Sequence, residues 1–221
     1  MIELNKIYNE DFRNYEYPKG ITITDPPYNQ KYKYSNYKDN LKIDEYIKLL
    51  KCIKEPCVII HYPEETINIL SKCFENCEQV VTWVYNSNTG KQSRSISWWG
   101  CKPNFNKFTQ PYKNPNDKRV QKLIESGKTG AKLYDWWEIN QVKNVSKEKT
   151  DHPCQIPEEI IKRIILTTAT KNDIIIDPFA GSGTTLKVAK DLGYSFIGYE
   201  IDENYVNIIN KRLITNTNLF T

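Results

Sequence analysis

An α/β fold built on a parallel sheet is what this sequence predicts, from three observations. Two short β-branched runs, Ile21-Thr22-Ile23-Thr24 and Ile174-Ile175-Ile176, read as buried strands. Each runs into an Asp-Pro turn, at Asp25-Pro26 and again 152 residues later at Asp177-Pro178. Proline cannot continue a central strand, so both strands end there. From residue 151 onward strand and helix patterns alternate, an order that implies right-handed crossovers and parallel neighbours.

The remaining elements follow in chain order. An amphipathic helix is expected near 44–54, a strand at 57–61 and a helix near 64–77. The last carries Ile67, Ile69, Leu70, Cys73 and Phe74 close to helical spacing. Residues 80–85 read as a further strand. Residues 86–150 then change character, being rich in Asn, Ser, Lys, Pro and Gly and punctuated by Trp98-Trp99 and Trp136-Trp137. One short helix is expected there, near 117–126. The predicted organisation is one α/β domain from residues 1–85 and 151–221, with 86–150 inserted as a small loop-rich region. In the third part, Pro157-Glu158-Glu159 opens a helix to about residue 169, with proline in the first turn and acids at its positive end. A strand at 174–177, a helix at 184–192, a strand at 195–199 and a helix at 203–213 complete the pattern.

Composition narrows the class. A chain with 39% hydrophobic residues and 15 tyrosines folds rather than staying disordered. No apolar run approaches the roughly 20 residues of a membrane helix. Met1-Ile2-Glu3-Leu4-Asn5-Lys6 lacks a signal peptide's apolar stretch, so a cytoplasmic protein with no membrane partner is expected. The cysteines at 52, 57, 73, 77, 101 and 154 form no C-x-x-C pair, and His61 and His152 have no zinc-ligand spacing. Reduced structural thiols and no metal are expected. The net charge of +4 is unevenly spread: residues 86–150 hold 13 Lys+Arg against 5 Asp+Glu, leaving −4 for the remainder. Such a segment suits a polyanion-binding face, the alternative being a solvated lysine-rich loop.

Chemistry concentrates at the two turns. Asp25-Pro26-Pro27-Tyr28 presents a carboxylate, unpaired backbone carbonyls and an aromatic face beyond a strand end. Gly181-Ser182-Gly183 lets the backbone approach a ligand at the carboxyl end of another strand. The amides opening the next helix, with the Thr184 and Thr185 hydroxyls, suit a carboxylate. The segment is neither a phosphate-binding P-loop nor a full G-x-G-x-x-G, because Leu186 stands where the third glycine belongs. Glu200 follows Gly181 by 19 residues, the placement of an acid that accepts from ribose hydroxyls. Asp202 reads as a helix cap.

Together, Asp25-Pro26-Pro27-Tyr28-Asn29 and Asp177-Pro178-Phe179-Ala180-Gly181-Ser182-Gly183-Thr184-Thr185 resemble the motifs of β-type amino-group DNA methyltransferases. His152-Pro153-Cys154-Gln155-Ile156-Pro157 is similar to that family's His-Pro-x-Gln-Lys-Pro segment, with Ile156 in place of lysine. Asn9-Glu10-Asp11-Phe12 sits where relatives have a Gly-Asp-Cys-like turn. The order of catalytic motif, basic insert, His-Pro segment and glycine motif is similar to the β-type circular order.

The resemblance implies a Rossmann-like S-adenosylmethionine-dependent methyltransferase sheet, S-adenosyl-L-methionine as cofactor and double-stranded DNA as partner. An Asp ahead of Pro-Pro-Tyr leans toward the N6 amino group of adenine as methyl acceptor. It also implies that Asp25, Pro26, Pro27 and Tyr28 are catalytic. Asp25 and the Pro26 carbonyl would accept the two amine N–H groups, and Tyr28 would stack on a flipped base. Asp11, His152, Gln155, Asp177, Phe179, Gly181, Ser182, Gly183, Thr184, Thr185 and Glu200 are the implied cofactor-binding residues. Residues 86–150 become the expected target-recognition region, with Gln92, Arg94 and Asn106 at base edges and Lys102 and Lys107 on phosphates. Tyr32, Tyr34 and Tyr37, alternating with Lys31, Lys33 and Lys38, suit a mobile loop meeting phosphates and bases, the alternative being an ordinary solvated loop.

A homodimer and a separate restriction endonuclease stay open as further partners. A chain of 221 residues leaves no room for a nuclease or helicase domain, so it is expected only to modify. Cytosine-N4 methylation, methylation of an RNA or protein amine, and a non-catalytic nucleic-acid-binding module are the alternatives.

Overall fold

The computed structural model describes residues 2–16, 18–34, 37, 39–87 and 90–214. Lys38, one of the cations alternating with tyrosines, lies outside the described residues. In chain order the elements are β1 (Lys6–Tyr8), β2 (Ile21–Thr24), α1 (Ile43–Leu50) and β3 (Cys57–His61). A helical stretch follows, made of α2 (Pro63–Glu65), a π turn (Thr66–Leu70) and α3 (Ser71–Cys73). Then come β4 (Cys77–Val84), β5 (Ser93–Trp99), β6 (Thr109–Gln110), α4 (Lys118–Glu125), β7 (Ala131–Lys132) and β8 (Trp136–Glu138). The chain closes with α5 (Glu158–Thr168), β9 (Ile174–Asp177), α6 (Thr184–Asp191), β10 (Ser195–Tyr199) and α7 (Glu203–Ile214).

Eight strands form one sheet in the order β1-β10-β9-β2-β3-β5-β4-β8, and β6 and β7 pair separately. The run from β1 to β3 is parallel, whereas β5 is antiparallel to both β3 and β4. The sheet is therefore mixed, with its parallel half carrying both Asp-Pro turns.

Side chains alternate across the sheet with the two-residue period of a strand. Ile23, Val58, Ile60, Ile96, Trp98, Ile175 and Phe196 face one way, onto Ile160 and Ile164 of α5, Leu186 of α6 and Ile209 of α7. Cys57, Ile59, Trp99, Ile176, Ile197 and Tyr199 face the other way, onto Tyr46, Leu49 and Leu50 of α1 and onto Ile69, Leu70 and Phe74. Both faces are covered, so β3 and β9 are nearly continuous apolar runs, while β2 and β5 bury Thr and Ser side chains as well. Each fully buried Ile or Leu contributes about 1.5–3 kcal/mol.

The reading of 86–150 as a loop-rich insert needs correction. Residues 93–99 form β5, a central strand registered against β3 from Cys57↔Trp99 to His61↔Ser95, and β8 pairs with β4 at the sheet edge. Trp98, Trp99 and Trp137 are core residues, not loop aromatics. The indole N–H of Trp98 donates to Thr168 Oγ1 at 2.8 Å, and that of Trp137 to the Tyr134 carbonyl at 3.0 Å. The expected short helix is present as α4, capped by Asp117, whose carboxylate accepts from the Arg119 and Val120 amides. No helix among the described residues is long and apolar enough to cross a membrane.

Candidate active site

The two Asp-Pro turns, 152 residues apart in sequence, lie side by side. Their strands β2 and β9 are parallel neighbours, registered at Ile21↔Ile175 and Thr22↔Ile176. Thr24 Oγ1 donates to Asp177 Oδ1 at 2.7 Å, tying one turn to the other. From this pair the chain proceeds to β10 on one side and to β3 on the other. That reversal makes the β2–β9 boundary the sheet's switch point, where open α/β sheets hold ligands beyond their strand ends. A cavity of about 630 Å³ opens there, reached by Asp25, Tyr28, Phe179, Gly181 and Glu200 alike. Its size suits one ligand of drug-like dimensions.

At the Asp25 end, the Tyr28 hydroxyl donates to Asp25 Oδ1, and Arg94 Nη1 lies 3.7 Å from Asp25 Oδ2. Burial pushes the Asp25 carboxyl up to about 6, opposed by the Arg94 charge and the Tyr28 hydrogen bond. The Arg94 guanidinium sits 5.0 Å from the ring centroid of Tyr28, 5.5 Å from that of Trp83 and 5.8 Å from that of Tyr62. Its side chain is only 12% exposed. Arg94 is thus placed beside the Asp25 turn and not at an exposed position, while Gln92 and Asn106 are exposed.

The turn is held from behind by a hydrogen-bonded chain. The Tyr62 amide donates to His61 Nδ1 at 2.8 Å, which leaves the neutral ring's proton on Nε2. Nε2 meets the Tyr46 hydroxyl at 2.8 Å, and that hydroxyl donates to the Pro27 carbonyl at 2.7 Å. Burial holds His61 down to about 3, so the ring stays neutral. Beyond Tyr28, the Asn29 side chain exchanges hydrogen bonds with the Leu41 backbone at 3.0 and 2.6 Å. The Asp39 carboxylate accepts from the Asn29, Gln30 and Tyr32 amides. Tyr32, Tyr34 and Tyr37 then line the cavity, with ring centroids 4.9 and 6.2 Å apart in succession.

At the other end, Gly181 adopts φ +50, and its amide donates to Glu200 Oε2 at 2.9 Å. Glu200 Oε1 accepts from the Asp202 amide, also at 2.9 Å, and burial pushes this carboxyl up to about 7. Phe12 packs edge-on against Phe179 at 5.1 Å. His152 lies 4.4 Å from the Tyr205 ring, and both line the cavity. Asp11 also lines it, but its carboxylate is taken up by Arg13, whose Nε and Nη2 donate to it at 2.9 and 2.5 Å.

Several expected cofactor residues stand back from the cavity. Ser182, Thr184 and Thr185 are buried, and Arg212 Nη1 occupies the Ser182 carbonyl and Thr184 Oγ1 at 2.7 and 3.1 Å. Gly183 adopts φ +75 beneath α7, where an added Cβ would stand 2.7 Å from Ile209. It serves helix packing rather than ligand approach. Gln155 is buried in hydrogen bonds with Thr150 and the Glu148 carbonyl, and Ile156 is buried in the core. Asp177 is buried against Thr24 and the Phe179 amide, with its carboxyl raised to about 6.

The profile of the DNA methylase family covering N6 and N4 amino groups matches residues 20–211. The type II methyltransferase M.BglII of Bacillus subtilis is 30% identical over 93% of this chain and 68% of its own. The chain belongs to the DNA methylase family. The DNA adenine methyltransferase YhdJ of Escherichia coli is 44% identical over 35% of this chain and 26% of its own. The crystal structure of M1.HpyAVI with S-adenosylmethionine superposes with a TM-score of 0.64, covering 95% of this chain and 99% of that one at 22% identity. The sheet is therefore that of S-adenosylmethionine-dependent DNA methyltransferases.

The methylase's cavity fits that cofactor on its own chemistry. Asp202 caps α7 through Oδ1, which accepts from the Asn204 amide at 2.9 Å. Its other oxygen, Oδ2, is buried without a partner in the cavity wall, an acceptor suited to a hydroxyl or ammonium group. Sequence reasoning gave Asp202 only the capping role. It also passed over His61, Tyr46, Tyr62 and Tyr205, whose placement depends on strand order and leaves no local motif.

Proposed function

We propose that this methylase transfers a methyl group from S-adenosyl-L-methionine to the exocyclic N6 amino group of adenine in DNA. The observation that carries the reading is the cavity joining the Asp25 turn to the Gly181–Glu200 end across adjacent strands. When bound, S-adenosylmethionine supplies a methyl group activated by its sulfonium. The protein's own task is to make the amine lone pair available, because in the free base it is delocalised into the ring. Asp25 accepts one amine N–H and the Pro26 carbonyl accepts the other, localising the pair on nitrogen. Positive charge builds on that nitrogen as it attacks, and the Asp25 carboxylate stabilises it and then takes the proton. Tyr28 offers the ring against which a base drawn out of the duplex stacks.

Glu200, Asp202 and His152 hold the cofactor's polar groups, and Phe12 and Phe179 supply the apolar wall. Adenine is favoured over cytosine by the Asp that precedes Pro26-Pro27-Tyr28 and by the likeness to the E. coli adenine methyltransferase. Mass spectrometry of nucleosides from DNA of cells expressing the protein tests this reading. N6-methyladenine is expected above the background of the empty host; N4-methylcytosine instead would reassign the base, and neither product would remove the activity.

A further inference from the structure

The one cation within ion-pair reach of Asp25, among the described residues, is Arg94, at 3.7 Å. It stands on β5, a strand with no part in the two sequence motifs. The other titratable groups facing Asp25 are the phenols of Tyr28, Tyr34, Tyr46 and Tyr85, the Cys154 thiol and the Asp177 carboxyl. Burial holds the phenols and the thiol in their neutral forms, and Asp177 would repel a second negative charge. His61, behind the turn, is neutral as well. The Tyr28 hydroxyl donates to Asp25, the other neutral groups carry no charge to offset its own and Asp177 opposes it, so Arg94 is the one positive charge that favours the ionised form among the described residues.

The guanidinium is built to stay there. Three aromatic rings enclose it at 5.0 to 5.8 Å, and it is weakly hydrated enough to keep its charge in such a setting. Its Nε is buried with no partner.

We propose that Arg94 is a positioning residue that keeps Asp25 ionised and so sets the lower pH limit of methyl transfer. The proposal rests on the reading of Asp25 as the acceptor of the amine N–H. Only the ionised carboxylate offsets the positive charge building on the amine and can take its proton, so the rate falls as pH drops through the Asp25 titration, near 6 with Arg94 present. Removing the positive charge favours the neutral acid, and the acid limb must then move to higher pH.

The test is the pH profile of kcat at saturating S-adenosylmethionine and saturating unmethylated genomic DNA, with transfer followed by radiolabelled methyl. Arg94→Met is expected to shift the acid limb upward by about one to three pH units, the range for removal of an opposite charge. Its activity should recover toward high pH. Arg94→Lys keeps the charge and should hold the limb near its original position, at a lower plateau. An Arg94→Met limb that stays in place while the plateau falls would overturn the proposal. If Arg94→Met is inactive at every pH, Arg94→Lys decides: activity with an unshifted limb supports the role, and inactivity or a shifted limb overturns it. Failure of the unaltered protein to transfer methyl to DNA would instead overturn the proposed function, so the two failures are distinguishable.

Discussion

The Glu200 carboxylate faces the cavity while accepting from the Gly181 and Asp202 amides, so it both meets a ligand and shapes the turn around it. Glu200→Ala should weaken S-adenosylmethionine binding by about 1.5–3 kcal/mol, the range for hydrogen bonds to a charged group. Isothermal titration measures this directly, and an unchanged affinity would contradict the assignment. Glu200 could be found from sequence because its distance from Gly181 is fixed by one helix and one strand. Arg94 was expected at a base edge in the basic segment, not beside Asp25. Its pairing with Asp25 across 69 residues depends on β5 lying against β3, which no local pattern announces.

Among the elements, α1 and β3 support the Asp25 turn through Tyr46 and His61. Tyr46→Phe removes the hydroxyl that meets both the Pro27 carbonyl and His61 Nε2. Leaving buried polar groups without partners costs about 1–3 kcal/mol, so the urea midpoint should fall by the corresponding amount with little change in m. A variant as stable as the parent would show that the chain of hydrogen bonds does not hold the turn. Strands β2, β3, β9 and β10 were legible because each is a short β-branched or apolar run ended by a turn signal. β5 was not, because its inward positions include serines. Ser97 Oγ donates to the Ile59 carbonyl at 3.2 Å and Ser95 Oγ to that of His61 at 3.1 Å, so a polar sequence is buried with its hydroxyls satisfied. β1 spans only three residues, too few to carry a period.

At the scale of the whole molecule, most of the basic charge lies away from the site, Arg94 being an exception. The site is built on the sheet's switch point, while the excess of Lys and Arg lies in 86–150. Within that segment α4 buries no residue and carries Lys118, Arg119 and Lys122. Replacing these three with glutamine should flatten the plot of log affinity against log salt by about 0.9 for each phosphate that is no longer neutralised. Fluorescence anisotropy across a salt series checks this, and an unchanged slope would exclude α4 from the DNA-binding face. Family, enzyme class and the two motif turns were readable at this scale. The order of strands was not, since it is set by which apolar faces meet in three dimensions.

The proposed function turns on Asp25, which in that reading accepts the amine N–H and takes no part in holding the cofactor. Asp25→Ala and the parent protein should be compared in one assay of methyl transfer to unmethylated genomic DNA, with S-adenosylmethionine affinity measured in parallel. Loss of transfer with cofactor affinity nearly intact is the expected outcome. Full turnover by Asp25→Ala would contradict the assignment of Asp25 to the chemistry.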